Sequence, residues 1–191
     1  GDEAFPAMLE ELKKAKHYIF LEYFILAPGV FWDSIVEVLK EKRAAGVDVR
    51  VIYDDVGSLH TLPADYAAKF EQETGIPCCV FNRFKPVISI RMNNRDHRKL
   101  CIIDGHTAFT GGINLADEYI NQKLRFGHWK DSAILVKGEA AWSMTVMFLT
   151  MWEYIREVKV DYAAFRPTEL PPEAALGKGC FVQPYADNPL D

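Results

Sequence analysis

The sequence predicts an α/β/α sandwich built around a central mixed, largely parallel sheet. Three observations lead there. Segments with helical apolar spacing alternate three times with short runs of branched and aromatic residues over positions 1–81. Those runs are apolar enough to lie buried between helical layers. A tight Asp104-Gly105 turn between two further runs marks an antiparallel hairpin.

The first helix covers Phe5 to Lys16, with Phe5, Met8, Leu9 and Leu12 at helical spacing, and leads into a strand-like run from His17 to Leu26. Val30 to Ala45 repeats the helical period through Ile35, Val38 and Leu39 and stops at Gly46; Val47 to Tyr53 follows as a strand ending at Asp54-Asp55. Asp65 to Thr74 is a third helix stopped by Gly75, and Ile76 to Phe81 a third strand. Residues 84–95 have no clean period and read as a loop. Lys99 to Ile103 and His106 to Thr110 are the hairpin strands, followed by Gly111-Gly112-Ile113-Asn114 and a short helical stretch from Leu115 to Ile120. His128 to Val136 reads as another strand and Glu139 to Val158 as a long helix. Arg166-Pro-Thr-Glu-Leu-Pro-Pro-Glu173 has the composition of a linker.

With 191 residues, 49% apolar and 26% charged, the chain has the composition of one globular domain rather than of a disordered or fibrous protein. The best membrane candidate, Ala140 to Trp152, is interrupted by Ser143, Thr145 and Thr150 and falls short of the roughly 18 residues of a span, so no segment is expected to cross a bilayer. The N-terminus shows neither Met nor a basic-then-apolar leader and is expected to continue a longer chain. A net charge of −5 argues against coating nucleic acid through overall charge. Positions 83–99 nevertheless gather Arg83, Lys85, Arg91, Arg95, Arg98 and Lys99 against Asp96 alone. Cys78, Cys79, Cys101 and Cys180 show no C-x-x-C spacing, which reads as buried thiols in a reducing compartment rather than a disulfide frame or zinc site.

The chemistry concentrates after Asn94. On a strand His97 and Lys99, two residues apart, project from one side and converge on one ligand. Gly111 and Gly112 permit close approach of backbone to a ligand, and Asn114 is expected at a helix N-terminus whose free N–H groups favour an anion. Imidazole, ammonium, amide and helix N-terminus together describe a phosphate site. At ordinary residue usage the whole pattern arises by chance in roughly one protein in a few hundred thousand. Glu22 and Asp54/Asp55 lie on or just past strands, at the ends where such sheets keep their sites. Glu22 reads as a cleft residue toward ribose, glycerol or lysine, with a strand-end surface position as the alternative; Asp54 and Asp55 read as turn and cap residues rather than metal ligands. The basic segment, including Arg95 and Arg98, is either a solvated face or an attractor of anionic lipid headgroups at roughly 1 kcal/mol per Lys or Arg. Val87, Ile88, Ile90 and Met92 within it pack on the sheet or enter a membrane interface.

The pattern His97-x-Lys99-x(4)-Asp104-x(6)-Gly111-Gly112-x-Asn114 resembles the HKD signature of the phospholipase D superfamily. The words Leu21-Glu-Tyr-Phe-Ile25, Tyr53-Asp-Asp-Val-Gly-Ser58, Asn94-Arg-Asp-His-Arg-Lys99, Phe109-Thr-Gly-Gly-Ile-Asn-Leu-Ala-Asp-Glu-Tyr-Ile-Asn121 and Gly127-His-Trp-Lys-Asp131 are similar to those of bacterial cardiolipin synthases. The resemblance runs over nearly the whole chain and implies a phospholipase D-like fold. It implies that His97 attacks phosphorus, or is the acid that protonates the leaving glycerol oxygen, while Lys99 neutralises the non-bridging oxygens. Asn114 and the backbone at Gly111 and Gly112 are implied to donate hydrogen bonds to those oxygens. Asp104 is implied to hold the motif's turn, and Asp131 to orient His97 through its second ring nitrogen. Neither a metal nor a cofactor is implied. The implied reaction converts two phosphatidylglycerols to cardiolipin and glycerol through a phosphatidyl-histidine, on the cytoplasmic side of the cell membrane. Phosphatidylglycerol and an anionic membrane surface are the implied partners, and no nucleic acid is expected.

The family builds its site from two such motifs, and this sequence holds one. His17, His60, His106 and His128 do not begin another. Pro184-Tyr-Ala-Asp-Asn-Pro-Leu-Asp191 looks like the beginning of a second phospholipase D-like half, which divides the chain into a catalytic half-domain over 1–160 and a linker with that beginning over 161–191. The missing half is expected from the same polypeptide or from a homodimer. Two other readings stay open: a single-motif homodimer that cleaves nucleic acid, recognisable by salt-dependent DNA binding, and a non-catalytic domain that binds anionic phospholipid.

Overall fold

The computed structural model describes residues 1–84, 94–125, 127–170, 172 and 181–186. Helix α1 (Ala4–Lys14) precedes strand β1 (Tyr18–Tyr23), and α2 (Val30–Ala44) precedes β2 (Asp48–Asp54). The one-turn α3 (Asp55–Ser58) and α4 (Tyr66–Thr74) precede β3 (Cys78–Phe81). Strands β4 (Lys99–Ile103) and β5 (Thr107–Gly111) form the expected hairpin, β6 (Ala133–Lys137) follows, and α5 (Ala140–Arg156) is the last long helix described. The six strands lie in the order β3-β2-β1-β4-β5-β6. Strand β2 is parallel to both β1 and β3. The other three ladders, β1 with β4, β4 with β5 and β5 with β6, are antiparallel. The expected mixed sheet is thus present, with its parallel part confined to the first three strands. The reason is local: the tight turn after Asp104 reverses the chain, and a parallel neighbour needs a long crossover.

Side chains alternate across this sheet. Ile19, Leu21, Tyr23, Val49, Val51, Cys101 and Ile103 meet α1, α2 and α4 on one face. Tyr18, Phe20, Ile52, Cys79, Leu100 and Ile102 meet α5 on the other. Strand β1, central and covered on both faces, is buried along its whole length. On the α5 face Phe20 stacks on Phe148. Beside it the Arg50 guanidinium lies 5.1–5.2 Å from the ring centres of Phe20, Trp152 and Phe165 and pairs with Asp48 at 2.7 Å. Tyr18 Oη donates to the Phe165 carbonyl at 2.8 Å, so the turn Tyr162–Phe165 packs onto the sheet beyond α5.

The last strand begins later than its sequence pattern predicts. Residues ahead of Ala133 form a loop held by Asn121, whose side chain accepts from the Trp129 N–H at 2.7 Å and donates to the Trp129 carbonyl at 3.1 Å. Strand β6 is a sheet edge, with Ile134 and Leu135 60% and 41% exposed. No helix among the described residues is long and apolar enough to cross a membrane. Positions 85–93, with Lys85, Val87, Ile88, Ile90, Arg91 and Met92, lie outside the described residues, as do Cys180 and most of the expected start of a second half.

Candidate active site

The motif enters the sheet where β4 runs alongside the C-terminal end of β1, with Tyr23 opposite Lys99. The exit of β1 therefore delivers Phe24 to the motif. The His97 imidazole is exposed and lies 4.7 Å from the Phe24 ring, tilted by 58°. Lys99 is buried; its Nζ donates to the His97 carbonyl at 2.6 Å and stands 5.4 Å from the Phe24 ring centre. Phe24 thus touches both motif side chains. Phe24 lies within the Leu21–Ile25 word of the sequence, and the antiparallel register of Tyr23 with Lys99 places it here.

Electrostatics set the two groups in complementary states. Partial burial, and then the nearby Lys99 charge, pull the His97 pKa down, against the carboxylates of Asp96 and Asp54. Burial pushes the Lys99 ammonium down to about 8, opposed by Asp96 and Asp131. At neutral pH an unprotonated imidazole therefore stands beside a cation. Such a pair can attack an electrophilic phosphorus and offset the negative charge that develops on its oxygens.

Behind the motif lies a charged network that includes Glu22, Arg95 and Arg98, which the sequence assigned to the substrate, and Asp54, which it read as a turn and cap residue. The Asp54 carboxylate accepts from the N–H of Gly57 and of Asp96, both at 3.0 Å, and from Arg95 Nη1 at 3.4 Å. Arg95 also donates to the carbonyls of Asn82 and Asn94. Asp96 Oδ1 accepts from Arg98 Nε at 3.0 Å, and Arg98 Nη2 pairs with Glu22 at 2.8 Å. Glu22 is completely buried. Glu22, Arg95 and Arg98, expected to bind substrate, here make contacts within the protein: Glu22 with Arg98, Arg98 with Asp96, and Arg95 with Asp54 and two backbone carbonyls. The period of two that puts His97 and Lys99 on one side of β4 turns Arg98 to the α5 side, with Glu22.

The glycines and the amide also differ from expectation. A Cβ on Gly111 would collide with Ser132 and Ala133, and one on Gly112 with the Asp131 carboxylate, so the chain that approaches closely is the protein's own. The Gly112 N–H is spent on the Ser132 carbonyl at 2.9 Å. Asn114 does not stand at a helix N-terminus; the turn Asp117–Ile120 begins after Ala116. Buried Asn114 accepts from the Ile25 N–H at 3.0 Å and donates to Tyr119 Oη at 2.8 Å, tying the exit of β1 to the loop after β5. Asp131 accepts from the Ser132 N–H at 2.7 Å and from Trp129 Nε1 at 3.4 Å. Among the described residues it makes no hydrogen bond to His97; it faces Gly112 and acts on Lys99. Asp104 lies at the far end of β4, where its carboxylate accepts from the N–H groups of Lys16, His17 and Tyr18 at 2.7–2.8 Å.

The family description for the cardiolipin synthase PLD-like domain matches residues 8–152, which span the whole sheet and the motif. The chain belongs to this family. This PLD-like domain is 46% identical over 191 residues to an uncharacterized protein of Streptococcus mutans, covering all of the chain and 40% of that protein. It is 36% identical over 165 residues to a cardiolipin synthase of Listeria innocua, covering 86% of the chain and 34% of the relative. The domain thus spans well under half the length of these relatives. Phosphatidylserine synthase of Haemophilus influenzae matches its fold with a TM-score of 0.60 at 16% identity, over 92% of this chain and 39% of that one. Nuc, a phospholipase D family member from Salmonella typhimurium, matches with a TM-score of 0.53 at 22% identity, over 80% and 86%.

Proposed function

We propose that this PLD-like domain supplies one half of a phosphatidyltransferase site that joins two phosphatidylglycerols into cardiolipin and releases glycerol. The observation that carries the reading is the exposed His97 imidazole set against the same Phe24 ring as the buried Lys99 ammonium. A ring nitrogen of His97 attacks the phosphorus of one phosphatidylglycerol. The P–N bond forms as the P–O bond to glycerol breaks, and the leaving oxygen takes a proton from an acid in the second half. A hydroxyl of the second phosphatidylglycerol then attacks phosphorus, the P–N bond breaks, and that hydroxyl's proton returns to the acid. Lys99 stays protonated throughout and balances charge on the non-bridging oxygens.

The second half comes from a following PLD-like unit or a second copy of the chain. Strand β6 supports this, because its exposed Ile134 and Leu135 lie on a sheet edge that is unpaired among the described residues, next to Gly111 of β5. A cytoplasmic-side anionic membrane surface belongs to the same proposal. The basic stretch supports it less than its sequence suggests: Arg95, Arg98 and Lys99 turn inward, and of the described basic residues there Arg83 is the exposed one.

The test is to incubate this chain, and a longer chain carrying both halves, with phosphatidylglycerol vesicles in a metal chelator, following cardiolipin and glycerol. Turnover that His97→Ala abolishes is expected. Activity of the short chain that rises per molecule with concentration marks assembly of two copies. Lipid binding without turnover by either form marks a non-catalytic binding domain, and cleavage of DNA but not lipid overturns the lipid assignment.

A further inference from the structure

The charged network behind the motif contains an imbalance. Glu22, Asp96 and Arg98 bring two carboxylates against one guanidinium in a buried site on the α5 side of the sheet. Arg98 Nη2 and Glu22 Oε1 are 2.8 Å apart as an ion pair, yet Nη2, both Glu22 oxygens and Asp96 Oδ2 lack a hydrogen-bond partner among the described residues. A buried carboxylate left without hydrogen bonds is costly. The two carboxyls are brought together by one guanidinium: Arg98 Nη2 lies 2.8 Å from Glu22 Oε1 and Arg98 Nε lies 3.0 Å from Asp96 Oδ1. One proton placed between them satisfies an oxygen on each residue and brings the three groups to zero net charge.

We infer that Glu22 and Asp96 share one proton against Arg98, and that this acid pair is the positioning device for His97. Glu22 is the donor, its O–H directed at Asp96 Oδ2, with Asp96 ionised and its Oδ1 held by Arg98 Nε. The direction agrees with the burial and Asp96 charge that drive Glu22 well above the usual carboxylate range, against the opposing pull of Arg98. Asp96 and Arg98 flank His97 in the chain, and the Asp96 N–H is fixed in turn by Asp54. His97 is thus carried between two clamped neighbours. The positioning part rests on the His97 reading above; the shared proton does not.

The experiment uses the 191-residue chain without substrate, so it stands apart from any activity. Infrared difference spectra at pH 7 are expected to show the C=O stretch of a buried protonated carboxylic acid, lost in Glu22→Gln and in Asp96→Asn. Absence of the band in the unsubstituted chain, or its survival in both variants, overturns the shared proton. For positioning, His97 ring resonances are followed by NMR against pH, with Asp54, Asp96 and Lys99 as the charged groups acting on the ring. Glu22→Ala is expected to release the ring to solvent and move its titration upward, and Glu22→Gln to restore it. Identical titration in all three proteins overturns the positioning role.

Discussion

The Lys99 ammonium donates a 2.6 Å hydrogen bond to the carbonyl of His97, so the cation is anchored to the backbone of the residue whose ring it acts upon. Its charge lowers the His97 pKa, after burial. The two motif side chains form one electrostatic unit.

Replacing the cation tests that unit. Lys99→Met removes a charge that disfavours imidazolium, so the His97 titration moves up, read by NMR. On the proposed role of Lys99 toward the phosphate oxygens, kcat/KM is expected to fall about 10²- to 10³-fold, the usual effect of deleting one such donor.

The pH profile follows from the same pair. In the proposed reaction His97 attacks as the neutral imidazole, and its pKa lies below the ordinary histidine value, so activity is expected to persist to more acid pH than a free imidazole allows. Lys99 must be protonated, and its pKa is about 8. A plot of kcat/KM against pH is expected to be a bell whose acid limb lies below about 6.5 and whose basic limb lies near 8.

Asn114 is expected to behave as a structural tie. Asn114→Ala leaves the Ile25 N–H and the Tyr119 hydroxyl without their partner and costs roughly 2 kcal/mol in urea unfolding. An unchanged stability with a collapsed kcat would instead place the amide on the phosphate.

Arg50 joins sheet, helix and the Tyr162–Phe165 turn through three aromatic rings. Arg50→Met removes the cation–π contacts and the Asp48 pair, and is expected to cost about 2 kcal/mol. Thermal unfolding gives the magnitude, and Trp152 fluorescence reports the local change.

Most of the architecture was legible because apolar period and breakers agree: Gly46 and Gly75 follow α2 and α4, and the Asp104-Gly105 turn reverses the chain between β4 and β5. The late start of β6 was not, because the hold of Asn121 on Trp129 is a contact between loops with no local signature. At the site, alternation correctly places Lys99 with Cys101 and Ile103. The same rule already turns Arg98 away, yet charge alone suggested a ligand for it. Gly111 and Gly112 show a related ambiguity: absence of a side chain signals close approach without saying what approaches, and here it is residues 131–133. Phe24 and Asp96 needed the antiparallel register of β1 with β4, which no single segment encodes.

Asp104 fastens one end of β4 to three successive N–H groups at the start of β1, those of Lys16, His17 and Tyr18, and His97 sits beyond the other end. The seven-residue interval between them therefore works as a ruler with a parity. Sliding the strand by one residue would exchange the faces, turning the imidazole toward Glu22 and Arg98 toward the side that carries Lys99. Asp104, at the end of β4 away from His97, thereby fixes which face of the sheet carries Lys99.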